Sequence, residues 1–251
     1  MPAEVIKLVH AMISLTHQGL HLLRRMFDRC SGREELNPPS CELDADAASA
    51  MIEDLLRSGR PAMVGRFGCT EMSCLHNYLE IGKVGRNPLD YITGRRDQWW
   101  WNKNIMRQMR EWSGFFPAAP EYLARFCELM LRDMMELDIL GSWLPYEREV
   151  MPMIRDVPRV RLLNLEPYWS SRPWSRALEG RKVLVVHPFA ESITLQYERN
   201  RERIFENPEV LPSFSLETLA AVQSMGAGPD RFADWFEALA WMEGEMDRRD
   251  Y

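Results

Sequence analysis

The sequence lacks any pair of cysteines spaced for a metal or a redox couple. Its five, at positions 30, 41, 69, 74 and 127, form no CxxC and no metal-ligand spacing. They read as reduced, mostly buried thiols, the usage of a cytoplasmic protein. No apolar run approaches the roughly 20 residues that a membrane-spanning helix needs, and the N-terminus has no continuous apolar core of the kind a secretion signal carries. No GxGxxG turn follows the first expected strand, so a Rossmann-like methyltransferase or another enzyme of that type has no support. An excess of positive charge is also lacking. A formal net charge of −6 argues against general nucleic-acid binding, which needs a basic surface, but it leaves room for a local basic pocket and an anionic small molecule.

What the chain does have is 46% apolar residues over 251 positions, enough for one substantial core and at most a small appendage. From Ala3 to Phe27, Val5, Leu8, Val9, Met12, Ile13, Leu20, Leu23 and Phe27 fall mostly at helical intervals, with Lys7, Arg24 and Arg25 among the polar positions. This is an amphipathic helix or helix pair, of a kind that covers a domain, pairs with another chain as in a homo-oligomer, or makes a peripheral contact with a membrane surface. Cys30 to Cys41 is turn-rich and polar, a linker. Residues 1–43 are therefore expected to be a helical arm and 44–251 one α/β domain.

That domain opens with a helix from Asp46 to Arg57, stopped by Ser58-Gly59. It leads into Pro61-Ala-Met-Val-Gly-Arg-Phe-Gly-Cys-Thr-Glu71, read as a buried strand entering a tight turn that opens a helix. Ala62 to Val64 is apolar, Gly65 and Gly68 allow close backbone approach, and Thr70 is placed to cap a helix continuing through Met72, Leu75 and Leu79. A helix N-terminus with Arg66 beside it suits phosphate, while Glu71 in the first helical turn puts a carboxylate at the same spot. Glu71 then holds a divalent cation or acts as base toward a hydroxyl; alternatively it is a first-turn acid and Arg66 its ion-pair partner.

Farther on, Trp99-Trp100-Trp101 offers indole faces for sugars or bases, or else one or two of them bury and the remainder covers an interface. Pro120 to Glu136 is a helix whose Leu123, Phe126, Cys127, Met130, Leu131 and Met134 serve core packing. Leu137 to Trp143 and Val160 to Leu165 read as strands, with Asp138 either a ligand or an ordinary strand-edge residue. Lys182 to Val186 is nearly all apolar, as expected of a parallel strand covered on both faces. Polar residues resume at its end with His187, Glu191 and Ser192. Because ligands sit outside the carboxyl ends of strands in open α/β sheets, Arg66, Glu71, His187 and Ser192 are expected on one rim. His187 is there either a catalyst or ligand, or a packed residue bonded to the backbone.

The pattern Arg66-Phe-Gly-x-x-Glu71, Phe115-Phe-Pro117, Pro173-Trp174-Ser175, Leu178-Glu-Gly180, His187-Pro-Phe-Ala190, Gln196-Tyr197, Asn200-Arg201, Phe205, Leu211-Pro212 and Ala221-Val-Gln-Ser224 resembles the bacterial GT-D-fold glycosyltransferase family over most of Asp44 to Tyr251. The resemblance implies a Rossmann-like, open, parallel-rich sheet flanked by helices. It also implies transfer of a sugar from a nucleoside-diphosphate sugar to a glycan or glycoconjugate acceptor in surface-polysaccharide or glycoprotein assembly. On that reading Glu71 and His187 are catalytic, and Arg66, Gly68, Thr70, Glu191 and Ser192 bind the donor. In the family the turn reads Arg-aromatic-Gly-Asp-Gly-Glu, and its Asp-x-Glu element is implicated in metal binding, so Glu71 is the candidate ligand for manganese or magnesium. Cys69 replaces the family aspartate, and a protonated thiol is a poor ligand for a hard cation. The family also continues beyond the acidic helix into another strand, whereas this sequence stops at Tyr251, so a last βα unit is expected to be missing. The competing expectation is a non-catalytic binding or scaffold module that keeps the fold and binds partners through the N-terminal helix and the tryptophans.

Overall fold

The computed structural model describes residues 3–31, 37–223 and 231–251, with side chains from Thr16 onward in the first helix. Residues 32–36 of the expected linker, Ser224 of the family pattern, and the side chains of Val5, Lys7, Leu8, Val9, Met12 and Ile13 lie outside the described residues. In chain order the helices and strands are α1 (Ala3–Ser31), α2 (Ala45–Arg57), β1 (Val64–Gly65), α3 (Cys69–Gly82), α4 (Pro88–Ile92), α5 (Lys103–Glu111), α6 (Pro120–Asp133), β2 (Ile139–Ser142), α7 (Glu147–Val150), β3 (Arg159–Arg161), β4 (Lys182–Val186), α8 (Ala190–Ile204), β5 (Ser215–Leu219) and α9 (Trp235–Met246). The protein is mixed α/β with small parallel sheets. Two compact units result: Met1–Leu36 with Leu75–Lys103, and Asn37–Cys74 with Asn104–Tyr251. The first joins the expected arm to a segment that the sequence reading assigned to the α/β domain.

In the larger unit, Asp44 starts α2 by accepting the Ala47 N–H at 2.7 Å, which satisfies an otherwise orphaned first-turn donor. Ala48, Ile52 and Leu55 then recur at helical spacing and bury against Ile139 of β2 and Val160 of β3. Strand β1 is shorter than its apolar run suggests. Pro61 has no N–H, and the Met63 N–H donates to the Asp138 carboxylate at 2.9 Å instead of to a ladder carbonyl. Asp138 also accepts from Arg60 at 2.9 Å; these two bonds, the Met63 one first, hold its carboxyl below the usual range. It is thus a structural clamp at the strand edge and not a free ligand.

β1, β2 and β3 pair in parallel in that order, with Val64 opposite Ile139 and Gly141 opposite Val160, and Glu42 adds one further bridge to Val160. The strand expected to reach Leu165 ends at Arg161, where the chain turns into a 3₁₀ helix, Leu162–Leu165. That turn lays Leu165 over Gly141, where a Cβ would meet its Cδ1 at 2.4 Å. A second parallel ladder, β4 with β5, has Lys182 opposite Ser215 through Val186 opposite Leu219, with α8 as the crossover helix. β4 has the expected bounds, yet its residues after Lys182 are half-buried, so the double covering foreseen for it is incomplete. β5 was not foreseen, and Ser215-Leu-Glu-Thr-Leu219 carries no clean apolar alternation that would mark it.

The smaller unit shows what the tryptophans do. α1 is a single helix of 29 residues, not a pair, and packs against α4. Trp100 stacks on His17 at 3.8 Å and meets His21 and Tyr91, Trp99 meets Tyr91 and Trp100 edge-on, and Trp101 leans on Tyr78. The buried Asn77 ties the loop by donating to the carbonyls of Gln98 and Trp100 and accepting from the Asn102 N–H. Below this layer Asp97 bridges Arg24 at 2.6 Å and His76 at 2.7 Å. Burial alone raises the Asp97 carboxyl, but the His76 hydrogen bond and the Arg24 charge outweigh it and bring it down to about 2.

Two measurements test this account. Gly141→Ala should lower stability by about 1–3 kcal/mol in denaturant unfolding, because Leu165 must leave its place against the core, whereas Gly82→Ala, with open space around it, should be nearly neutral. Because the folded-state value for Asp97 is depressed, its contribution is present above about pH 4 and disappears as pH falls toward 2. Asp97→Asn should therefore cost on the order of 1 kcal/mol at pH 6, after discounting for a side chain 38% exposed, and the gap from wild type should close in acid melts.

Candidate functional site

The turn after β1 is held from β2. The Trp143 indole N–H donates to the Phe67 carbonyl at 2.9 Å, and the Phe67 ring is buried, so the backbone of Arg66-Phe67-Gly68 has one course. Trp143 is held in turn by Glu147, which is fully buried. The Glu147 carboxylate accepts the Trp143 and Leu144 N–H groups, each at 2.9 Å, and the Ser142 hydroxyl. All of this lies just past the carboxyl ends of β1 and β2.

From the turn, α3 begins two residues earlier than expected. The Met72 N–H donates to the Gly68 carbonyl at 2.9 Å, which makes Gly68 the cap residue and places Thr70 in the first turn, so Thr70 does not cap. The amides of Cys69, Thr70 and Glu71 precede the first intrahelical donor, the Met72 N–H. Glu71 folds its carboxylate back over Gly68; a Cβ there would sit 1.9 Å from Oε2, so only glycine permits this arrangement. Arg66 is exposed, and no ion pair forms between it and Glu71 or any other acid among the described residues. The ion-pair alternative for these two residues is therefore not what the structure holds.

A cavity of about 330 Å³ adjoins the turn, lined by Arg66, Gly68 and Glu71 on one side and by Phe126, Met130 and Asp133 of α6 with Trp235, Leu239 and Glu243 of α9 on the other. α6 and α9 are joined by an aromatic cluster: Phe115 packs on Phe126 and Trp235 at 5.4 Å each and on Phe236 at 6.0 Å, while Arg125 lies 3.8 Å over the Phe236 ring. The Trp235 N–H donates to the Phe116 carbonyl at 2.7 Å. The wall residues Phe126, Trp235 and Glu243 were missed as site residues. Each reads as helix core or helix surface in its own segment, and no local spacing relates α6 to α9. Two larger hollows, of about 760 and 510 Å³, lie instead beside the amino ends of β2 and β3.

His187, Glu191 and Ser192 stand exposed at the carboxyl end of β4 and in the first turn of α8, and none of them lines the cavity at Arg66. His187 Nδ1 accepts the Phe189 N–H at 3.1 Å, so in the neutral ring the proton sits on Nε2, which faces outward as a donor. Cys69 is exposed beside Arg66. Only Cys74 and Cys127 are buried, 3.8 Å apart as thiols, so the expectation of mostly buried cysteines does not hold. The bond between these thiols, and then burial, push the Cys127 thiol upward. Among the described residues no three His, Cys, Asp or Glu side chains converge on one metal position.

Comparison with family models, with curated proteins and with solved structures finds no match for this chain.

The hydrogen-bonded relay from Glu147 to the Arg66 turn has a direct test. Glu147→Gln replaces an acceptor of backbone N–H groups by an amide that has only one oxygen, which should cost about 1–3 kcal/mol in urea unfolding. An unchanged midpoint would show that the relay does not support the turn.

Proposed function

We propose that the protein is a nucleotide-sugar glycosyltransferase of Rossmann-like type, acting on a glycan or glycoconjugate hydroxyl, with its donor diphosphate at the Arg66 turn. The observation that carries this reading is the cavity beside an unpaired arginine and the free amides opening a helix of 14 residues. Such a helix end attracts phosphate, and the arginine adds a formal charge to the same locus. At about 330 Å³ the space is at the low end for ligand sites and takes the sugar-phosphate end of a donor, with the nucleoside outside it. Phe126 and Trp235 supply apolar and indole faces against a sugar ring.

In this reading the acceptor oxygen attacks the anomeric carbon and the bond from that carbon to the diphosphate breaks. The electron pair leaves with the diphosphate, and the acceptor proton passes to the Glu71 carboxylate. The developing negative charge on the leaving group is met by Arg66 and the α3 amides, which are fixed in place before reaction. No step is routed through a metal ion. Gly68 and Thr70 belong to the donor-binding turn. His187, Glu191 and Ser192 do not line this cavity, and no step is assigned to them.

The scaffold reading has one observation in its favour. Glu71, Asp133 and Glu243 place three acids around a cavity with one arginine, a balance that weakens attraction for a diphosphate. Thermal-shift measurements with nucleoside diphosphates and their sugars separate the two. An enzyme should be stabilised by one member of the panel, and silence across it supports the scaffold. Arg66→Ala should weaken that binding at least tenfold, as expected for loss of a charge-assisted contact. Glu71→Gln should keep the binding but lower nucleotide release by roughly a hundredfold or more; full turnover in either variant would reject the assignment.

A further inference from the structure

Helix α1 has two faces that behave differently. His17, His21 and Arg24 follow one face and are occupied, by Trp100, by Tyr91, and by Asp97 with the Arg96 carbonyl. On the opposite side Leu22, Met26 and Cys30 recur at intervals of four with Leu23 and Phe27 beside them, a single stripe at 3.6 residues per turn. The stripe is bare: Leu22 is 59% exposed, Leu23 48%, Met26 56% and Phe27 37%. Four large apolar side chains exposed in succession on a helix already packed through its other face is not ordinary surface.

The charge beside the stripe says what covers it. Arg25 and Arg29 run along one edge, both exposed and neither in an ion pair among the described residues. The compact unit that contains α1, residues 1–36 and 75–103, carries ten lysines and arginines against seven acids, while the remainder carries 21 against 30. The unit that presents the bare stripe thus has a net excess of cations in a chain that is acidic as a whole. No described helix is long and apolar enough to cross a membrane, so a lipid contact of α1 is one that lies flat in the interface. We infer that the Leu22–Leu23–Met26–Phe27 face of α1, flanked by Arg25 and Arg29, docks on an anionic membrane surface with its axis parallel to the bilayer. This inference stands independently of the glycosyltransferase proposal, because none of its residues lines the cavity at Arg66.

The experiment is flotation of the full chain with vesicles of phosphatidylcholine alone or with one third phosphatidylglycerol, at low salt and at about 0.5 M salt, where surface charge is screened within a few ångströms. The protein should float with the anionic vesicles at low salt, and much less with neutral vesicles or at high salt. The double variant Arg25→Glu, Arg29→Glu should weaken binding roughly twentyfold or more, since each cation near an anionic surface contributes about fivefold. Leu22→Ser with Met26→Ser should also lose most binding, and circular dichroism should show both double variants folded because the replaced side chains are exposed. Failure to float at any composition, equal binding to neutral vesicles, or indifference to both double variants would overturn the inference. So would a dimer in light scattering that Leu22→Ser with Met26→Ser dissociates, since the face would then belong to a second copy.

Discussion

The hydrogen bond from the Trp143 indole to the Phe67 carbonyl is the constraint on which the candidate site depends. It fastens the turn after β1 to the residue after β2, so the position of Arg66 follows from parallel pairing of the two strands and not from the turn's own preferences. Glu147 makes that bond possible. A carboxylate sealed from solvent is costly unless its oxygens are met by donors, and here two backbone amides and the Ser142 hydroxyl meet them. The charge is thereby turned into a local anchor that orders residues 142–147.

The cavity has a different origin. Its floor is the turn, but its walls come from α6 and α9, brought together by Phe115, Phe126, Trp235 and Phe236. A cluster of four aromatic rings buries a large area and fixes helix orientation through edge-to-face contacts, so it sets the width of the opening beside Arg66. The same helices introduce Asp133 and Glu243, so with Glu71 of the turn the site sets three acids against one arginine.

The smaller unit uses its aromatics for another purpose. Three consecutive tryptophans suggest a binding platform, but Trp100 is committed to His17 and Trp99 to Tyr91, with Asn77 holding the loop backbone in place. Trp100, backed by Trp99, thereby seats α1 through one face. What remains available is the helix's other face, whose apolar residues and arginines are outward.

Periodicity and turn residues alone determined much of the chain: α2, α6, the strand Lys182–Val186, and a glycine turn opening α3 that carries Arg66 and Glu71. These depend on residues within a few positions of one another, which is the range over which sequence pattern carries physical information. Tertiary structure decided what depends on distant partners. It shortened β1 because Asp138 takes the Met63 N–H, ended β3 where Leu165 turns over Gly141, and turned Trp100 onto α1. It arranged the strands in two ladders, and it built a cavity from helices more than a hundred residues apart in the chain. Pairing and packing across such separations are chosen by burial and by hydrogen-bond satisfaction in the whole molecule, and no local segment encodes that choice.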